Sequence, residues 1–115
     1  MEHWRTKFDW QAQEARLNAL PQFVTRIHGL GIHFVHAPGE ASSASGRTCE
    51  TRPLLLLHGW PGSIVEFTRI IPLLTACGSD GLSFDVVAPS MPGYTWSDAA
   101  LRPGTYTPSA AIHRL

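Results

Sequence analysis

The sequence predicts an α/β protein with a mixed sheet, on three observations. Two β-rich runs, FVTRI (23–27) and IHFVH (32–36), flank a linker holding Gly29 and Gly31, which predicts an antiparallel hairpin. Two continuous apolar runs follow, PLLLLH (53–58) and FDVVAPS (84–90), each with the mark of a strand buried on both faces of a parallel sheet. Between them Ile64, Phe67, Ile71 and Leu74 recur at helical spacings.

Taken in order, residues 8–20 read as a helix. Asp9 is its N-cap and Pro21 its end, because the residue before a proline is pushed away from helical angles. After the hairpin, 37–52 is small, polar and aperiodic, and predicts an exposed, flexible loop. Ser63 with Glu66 three residues on is a capping box that fixes a helix start. Pro72 must kink that helix or split it in two. A Pro/Gly-rich loop follows the second apolar run, and Thr107-Pro108-Ser109 predicts another helix opening. Two such strands cannot shield one another, so the sheet needs further strands and the chain reads as cut short.

Composition narrows the classes. The 115 residues suit one small domain, which buries roughly 65% of its unfolded surface. An apolar content of 43% with 16% charged residues argues against disorder. Nine basic and nine acidic residues give zero net charge, with no block of one sign, removing the electrostatic case for nucleic acid or an anionic membrane. No stretch approaches the roughly 18 apolar residues that span a bilayer. Cys49 and Cys77 form no C-x-x-C pair and are expected to be free thiols in a cytoplasmic protein.

The chemistry centres on His58-Gly59-Trp60-Pro61-Gly62-Ser63, where a strand turns into a helix at the carboxyl edge of the sheet, the usual ligand side. Gly59 permits a sharp turn and close approach to a ligand. Pro61 stiffens the turn and can be cis. The Trp60 N–H, outside any ladder, is then placed as an oxyanion donor. Other readings stay open: a purely structural turn, or a phosphate loop, which the missing G-K-[ST] and the donor lost at Pro61 disfavour. His58 can be a base or ligand, but a histidine at a strand end is more often a hydrogen-bonded structural residue. His33 and His36, three apart on a strand, leave opposite faces and cannot share a metal. No metal site and no cofactor are expected.

No nucleophile is visible. G-x-S-x-G is absent, and GSDGL, the nearest approach to an aspartate elbow, ends in Leu82 and lies between a helix and a strand, where Asp80 reads as a turn residue.

WQAQEARLNALPQFVTRIHGLGIHFVH, LLLLHGWPGSIVEFTRIIPLLT and FDVVAPSMPGYTWSDAA together resemble, in order and spacing, the N-terminal part of the microsomal-type epoxide hydrolases. The resemblance implies an incomplete α/β-hydrolase fold: an N-terminal epoxide hydrolase segment over 1–36, a loop over 37–52 that looks like a surface insertion, and the start of the core over 53–115. It implies hydrolysis of a small apolar epoxide to a diol through an aspartate ester, with His58, Gly59, Trp60 and Pro61 as the oxyanion loop and the Trp60 amide as donor. Its ring can also line the substrate pocket. The nucleophile elbow, acid, catalytic histidine and lid are expected beyond residue 115. His113, Tyr94 and Tyr106 lie in the wrong context for those roles, so the chain by itself is expected to be inactive. The alternative is a non-catalytic binding module or truncated remnant of an α/β-hydrolase, with possible self-association through an exposed sheet edge.

Overall fold

The computed structural model describes residues 1–100. The expected helix opening at Thr107, together with Tyr106 and His113, lies outside the described residues. Two short helices begin the chain, α1 (Glu2–Thr6) and α2 (Trp10–Asn18). Asp9 caps α2 as the sequence suggests, its Oδ1 accepting from Ala12 N at 3.0 Å. Neither helix has a buried residue.

Strands β1 (Gln22–Ile27) and β2 (Leu30–Ala37) form the predicted antiparallel hairpin, with Ile27 opposite Leu30. His28 and Gly29 fill the two-residue turn at φ of 50° and 84°, the double positive φ of a type I′ turn. β3 (Glu50–Leu55) runs parallel to β4 (Leu82–Pro89), and β4 runs antiparallel to β2. The sheet order is β1-β2-β4-β3, so the hairpin and the parallel pair share one mixed sheet.

One face of this sheet carries the core. Val35, Ala37, Val86 and Ala88 meet Ile64 and Ile71, with Leu54, Phe67 and Leu74 packed around them. Ile64 and Phe67 belong to a short 3₁₀ helix (Ile64–Phe67), while Ile71 and Leu74 lie on α3 (Ile71–Thr75). Pro72 sits in the first turn of α3, so the predicted helix is split in two, the second of the alternatives at that proline. On the opposite face, Ile27, Phe34, Leu55 and Val87 line a shallow apolar basin of about 510 Å³.

Two expectations need correction. β3 is not buried on both faces: five of its six residues are exposed, and Leu55 is 43% accessible. Among the described residues it pairs only with β4, and it carries Pro53, which has no N–H to donate. Cys49 and Cys77 are not free thiols but are joined as a disulfide, with Cα atoms 6.0 Å apart. The parallel pairing explains the meeting, because Cys49 precedes β3 and Cys77 precedes β4 at the same end of the sheet.

The 37–52 stretch is largely exposed but well tethered. Ala37 ends β2, and Glu50, Thr51 and Arg52 begin β3. Between them Glu40 N donates to Thr75 O at 2.8 Å, and Ser83 Oγ donates to Glu40 O at 2.8 Å. The Arg47 guanidinium donates to the carbonyls of Gly78 and Ser79. Gly39 passes so close to β4 that a Cβ would stand 2.9 Å from Phe84 O and 2.7 Å from Thr51 Cγ2.

Candidate active site

β3 leaves the sheet where Leu56 N donates to Val87 O at 2.9 Å, and two residues later the chain reaches His58. The imidazole is buried, and both ring nitrogens are occupied. Nε2 accepts from Met91 N at 3.0 Å, and Nδ1 lies 3.2 Å from Gly59 O. A backbone amide can only donate and a carbonyl only accept, so the proton resides on Nδ1 and the ring is neutral. The Tyr94 ring packs edge-on against it at 5.1 Å. His58 thus joins the end of β3 to the start of the loop after β4, as a hydrogen-bonded structural residue.

Gly59 to Gly62 then close a tight turn in which Gly62 N donates to Gly59 O at 2.8 Å. The Trp60–Pro61 peptide is cis, the arrangement of a type VI turn. Ser63 Oγ accepts from Val65 N at 3.2 Å, and Glu66 Oε1 accepts from Ser63 N at 3.0 Å, forming the predicted capping box. Ser63 is therefore a helix cap. Gly59 O takes two donors and Gly62 N is used, yet the Trp60 N–H meets no acceptor among the described residues. The turn borders an open depression of about 540 Å³ lined by Trp60, Pro61, Val65 and Glu66, and the Trp60 ring is 83% exposed.

A second cluster lies behind this turn. His33, buried on β2, has Nδ1 2.9 Å from Ser90 Oγ and Nε2 2.9 Å from Gln22 Oε1. Gln22 Nε2 donates to Leu17 O, which aims its carbonyl oxygen at the histidine and makes Nε2 of His33 the donor. Ser90 Oγ then donates to His33 Nδ1 and accepts from Thr95 Oγ1 at 2.9 Å. Ser97 Oγ donates to Ser90 O at 2.7 Å and accepts from His33 N at 2.9 Å. Burial lowers the His33 pKa from its ordinary value, which keeps the ring neutral. The Trp96 ring covers it at 5.2 Å.

His36 lies on the other face of β2, where its Nε2 is 3.4 Å from Asp85 Oδ1. Asp85 Oδ1 is buried and makes no hydrogen bond among the described residues. Asp80 Oδ1 accepts from Leu82 N at 3.1 Å in the turn before β4, the turn role expected of it. Among the described residues no group of three His, Cys, Asp or Glu could hold a metal ion, and no helix is long and apolar enough to cross a membrane.

Ser90, Met91 and the packing of Tyr94 on His58 were not legible as site features. They sit 32 to 36 residues beyond His58, and only the β3–β4 pairing brings them beside it.

A sequence profile described as the epoxide hydrolase N terminus matches residues 1–67, and one for the alpha/beta hydrolase fold matches residues 52–113. The first spans more than half the chain. This chain belongs to the epoxide hydrolase family. Within that family it is 47% identical over 115 aligned positions to Epoxide hydrolase 1 of Oryctolagus cuniculus, covering 96% of this chain and 25% of that one. It is 42% identical over 113 positions to Juvenile hormone epoxide hydrolase 1 of Ctenocephalides felis, covering 97% and 24%. The crystal structure of juvenile hormone epoxide hydrolase from the silkworm Bombyx mori superposes with a TM-score of 0.77 at 43% identity, over 90% of this chain and 24% of that one. The chain thus spans about a quarter of the length of the curated epoxide hydrolases it matches. Its sheet is the part of an α/β-hydrolase fold that these matches cover.

Proposed function

We propose that the Gly59–Gly62 turn stabilises an oxyanion in an epoxide hydrolase, with the Trp60 N–H as donor. The observation that supports this is the Trp60 N–H, which meets no acceptor among the described residues, in a turn closed by the Gly62 N to Gly59 O bond and bordering an open depression. A donor fixed by the fold needs no rearrangement when negative charge develops beside it. In the proposed reaction an aspartate carboxylate attacks an epoxide carbon and the carbon–oxygen bond breaks, leaving an alkyl ester and an alkoxide that takes up a proton. Water, deprotonated by a histidine, adds to the ester carbonyl. The tetrahedral oxyanion accepts from Trp60 N–H and collapses to diol and free carboxylate. The aspartate, the histidine and its acid partner, and the lid would be supplied by chain outside these 115 residues. The substrate is a small apolar epoxide, for which the exposed Trp60 ring offers an apolar wall.

Replacing the Trp60 amide by an ester linkage in the full-length protein deletes the donor. It also weakens Gly59 O as the acceptor for Gly62 N and His58 Nδ1, so exchange of the Gly62 amide is followed beside kcat. The expected result is a loss of about 10²–10³ in kcat, with Trp60→Phe, which keeps the N–H, close to the unaltered protein. An unchanged kcat in the ester-linked protein removes the oxyanion role. Absence of diol formation from any chain containing this segment removes the activity itself.

A further inference from the structure

We infer that His33 is a positioning residue for the oxyanion turn, acting through the Ser90–Met91 dipeptide. The inference rests on the reading of that turn given above, but its geometry can be tested separately. His33 holds Ser90 at two points: Ser90 Oγ donates to Nδ1, and Ser90 N donates to His33 O at 2.8 Å. The remaining polar group of Ser90, its carbonyl, accepts from Ser97 Oγ, whose own acceptor capacity is used by His33 N. Every polar group of Ser90 is therefore fixed to β2 directly or through one hydroxyl. The next amide along the chain, Met91 N, is the donor that occupies His58 Nε2.

The consequence falls on His58. With Nε2 accepting from Met91 N, only Nδ1 can carry the proton, and that proton faces Gly59 O, the first carbonyl of the turn. Were Met91 N displaced, either ring nitrogen could be protonated, and a ring bearing its proton on Nε2 would set two lone pairs against each other at Gly59 O. The same dipeptide is braced from the other side, because Tyr94 N donates to Met91 O at 2.9 Å and the Tyr94 ring packs on His58. Gln22 extends the chain of bonds to the end of α2 through Leu17 O. The direction of every bond is settled: Thr95 to Ser90, Ser90 to His33, His33 to Gln22 and Gln22 to Leu17. A fully determined network of this kind specifies one arrangement, since reversing any member leaves a buried polar atom unpaired. The N-terminal segment is thereby linked to the turn through this chain of bonds.

The experiment follows ring and amide resonances in the whole chain. Ser90→Ala removes only the Oγ, His33→Phe removes both ring nitrogens, and His33→Asn returns an acceptor near the Nδ1 position. In Ser90→Ala and His33→Phe the ¹⁵N shifts of His58 are expected to leave the pure Nδ1–H tautomer, and exchange of the Met91 and Gly62 amides to speed up by tenfold or more. His33→Asn is expected to restore both signals towards those of the unaltered chain. A folded Ser90→Ala or His33→Phe protein with an unchanged His58 tautomer and unchanged Met91 and Gly62 exchange overturns the inference. Should neither variant fold, the unaltered chain decides: exchange protection of Ser90, Met91 and Gly62 agreeing within about threefold supports one cooperative unit, and Gly62 opening independently of the other two overturns it. None of these readouts uses turnover. Coupled resonances in a full-length protein that makes no diol would leave the positioning intact and remove only the oxyanion reading.

Discussion

Gly62 is a glycine because of Glu66. The carboxylate that accepts from Ser63 N fills the space a Cβ on Gly62 would need, and Gly59 O stands 2.9 Å from the same point. Gly62→Ala should therefore push Glu66 off the Ser63 amide and strain the turn at once. Loss of a cap alone costs about 1 kcal/mol, and the backbone contact adds to it, so a destabilisation of about 1–3 kcal/mol is expected. Urea midpoints of Gly62→Ala, Glu66→Ala and the double variant check this. The effect of Gly62→Ala should shrink, without vanishing, once Glu66 is truncated.

Gly39 makes a similar close approach where the tethered loop crosses β4. A methyl group there meets the backbone of Phe84 as well as the methyl of Thr51, and a paired strand backbone cannot shift as a side-chain end can. Gly39→Ala is expected to lower stability by about 1–3 kcal/mol. Wild-type stability in that variant would mean the loop can lift from the strand.

The Cys49–Cys77 link closes a span of 28 residues. By loop-closure entropy such a link stabilises the folded chain by about 3.5 kcal/mol. Adding reductant, or making Cys49→Ser, should lower the urea midpoint accordingly, with the reductant having no further effect on the variant. Equal midpoints in oxidised and reduced samples would show that the loop is held by Glu40 and Arg47 without the sulfurs.

Acid should weaken the fold through His33. Its folded pKa lies below the ordinary 6.5, so in the interval between the two values the unfolded chain binds the extra proton and the folded chain does not. Stability is then independent of this group above about pH 6.5 and falls as pH drops below it, by up to 1.36 kcal/mol for each unit of separation. Comparing urea midpoints of the unaltered chain and His33→Asn from pH 8 to pH 5 isolates the contribution. A slope identical in the two proteins would assign the acid sensitivity to other histidines.

Much of the site could be read from local signals. The capping box, the hairpin turn, the Asp9 cap and the uncommitted position of the Trp60 amide all depend on residues within four of one another. What escaped depended on pairing across the sheet. LLLL looks doubly buried, yet among the described residues its strand has a neighbour on one side only, because hydrophobicity does not set the order of strands. The two cysteines are unremarkable 28 residues apart until β3 and β4 start side by side. His58 could be recognised as structural, but its partner Met91 carries no polar side chain to betray it. The helical periodicity from Ile64 to Leu74 was real, yet Pro72 and the short distance after Pro61 left room only for a 3₁₀ turn and a single short helix.

The central place of β2 in the sheet has a consequence for how such proteins can be taken apart. β2 lies between β1 and β4, and its Val35 and Ala37 are core residues of the segment that follows. A chain begun at Pro53 would lose not an appendage but the wall against which β4 is built. The boundary near residue 37 is thus a seam in the text and not in the solid: recombination at that point would have to carry a matching hairpin with it, or deliver a sheet with its middle missing.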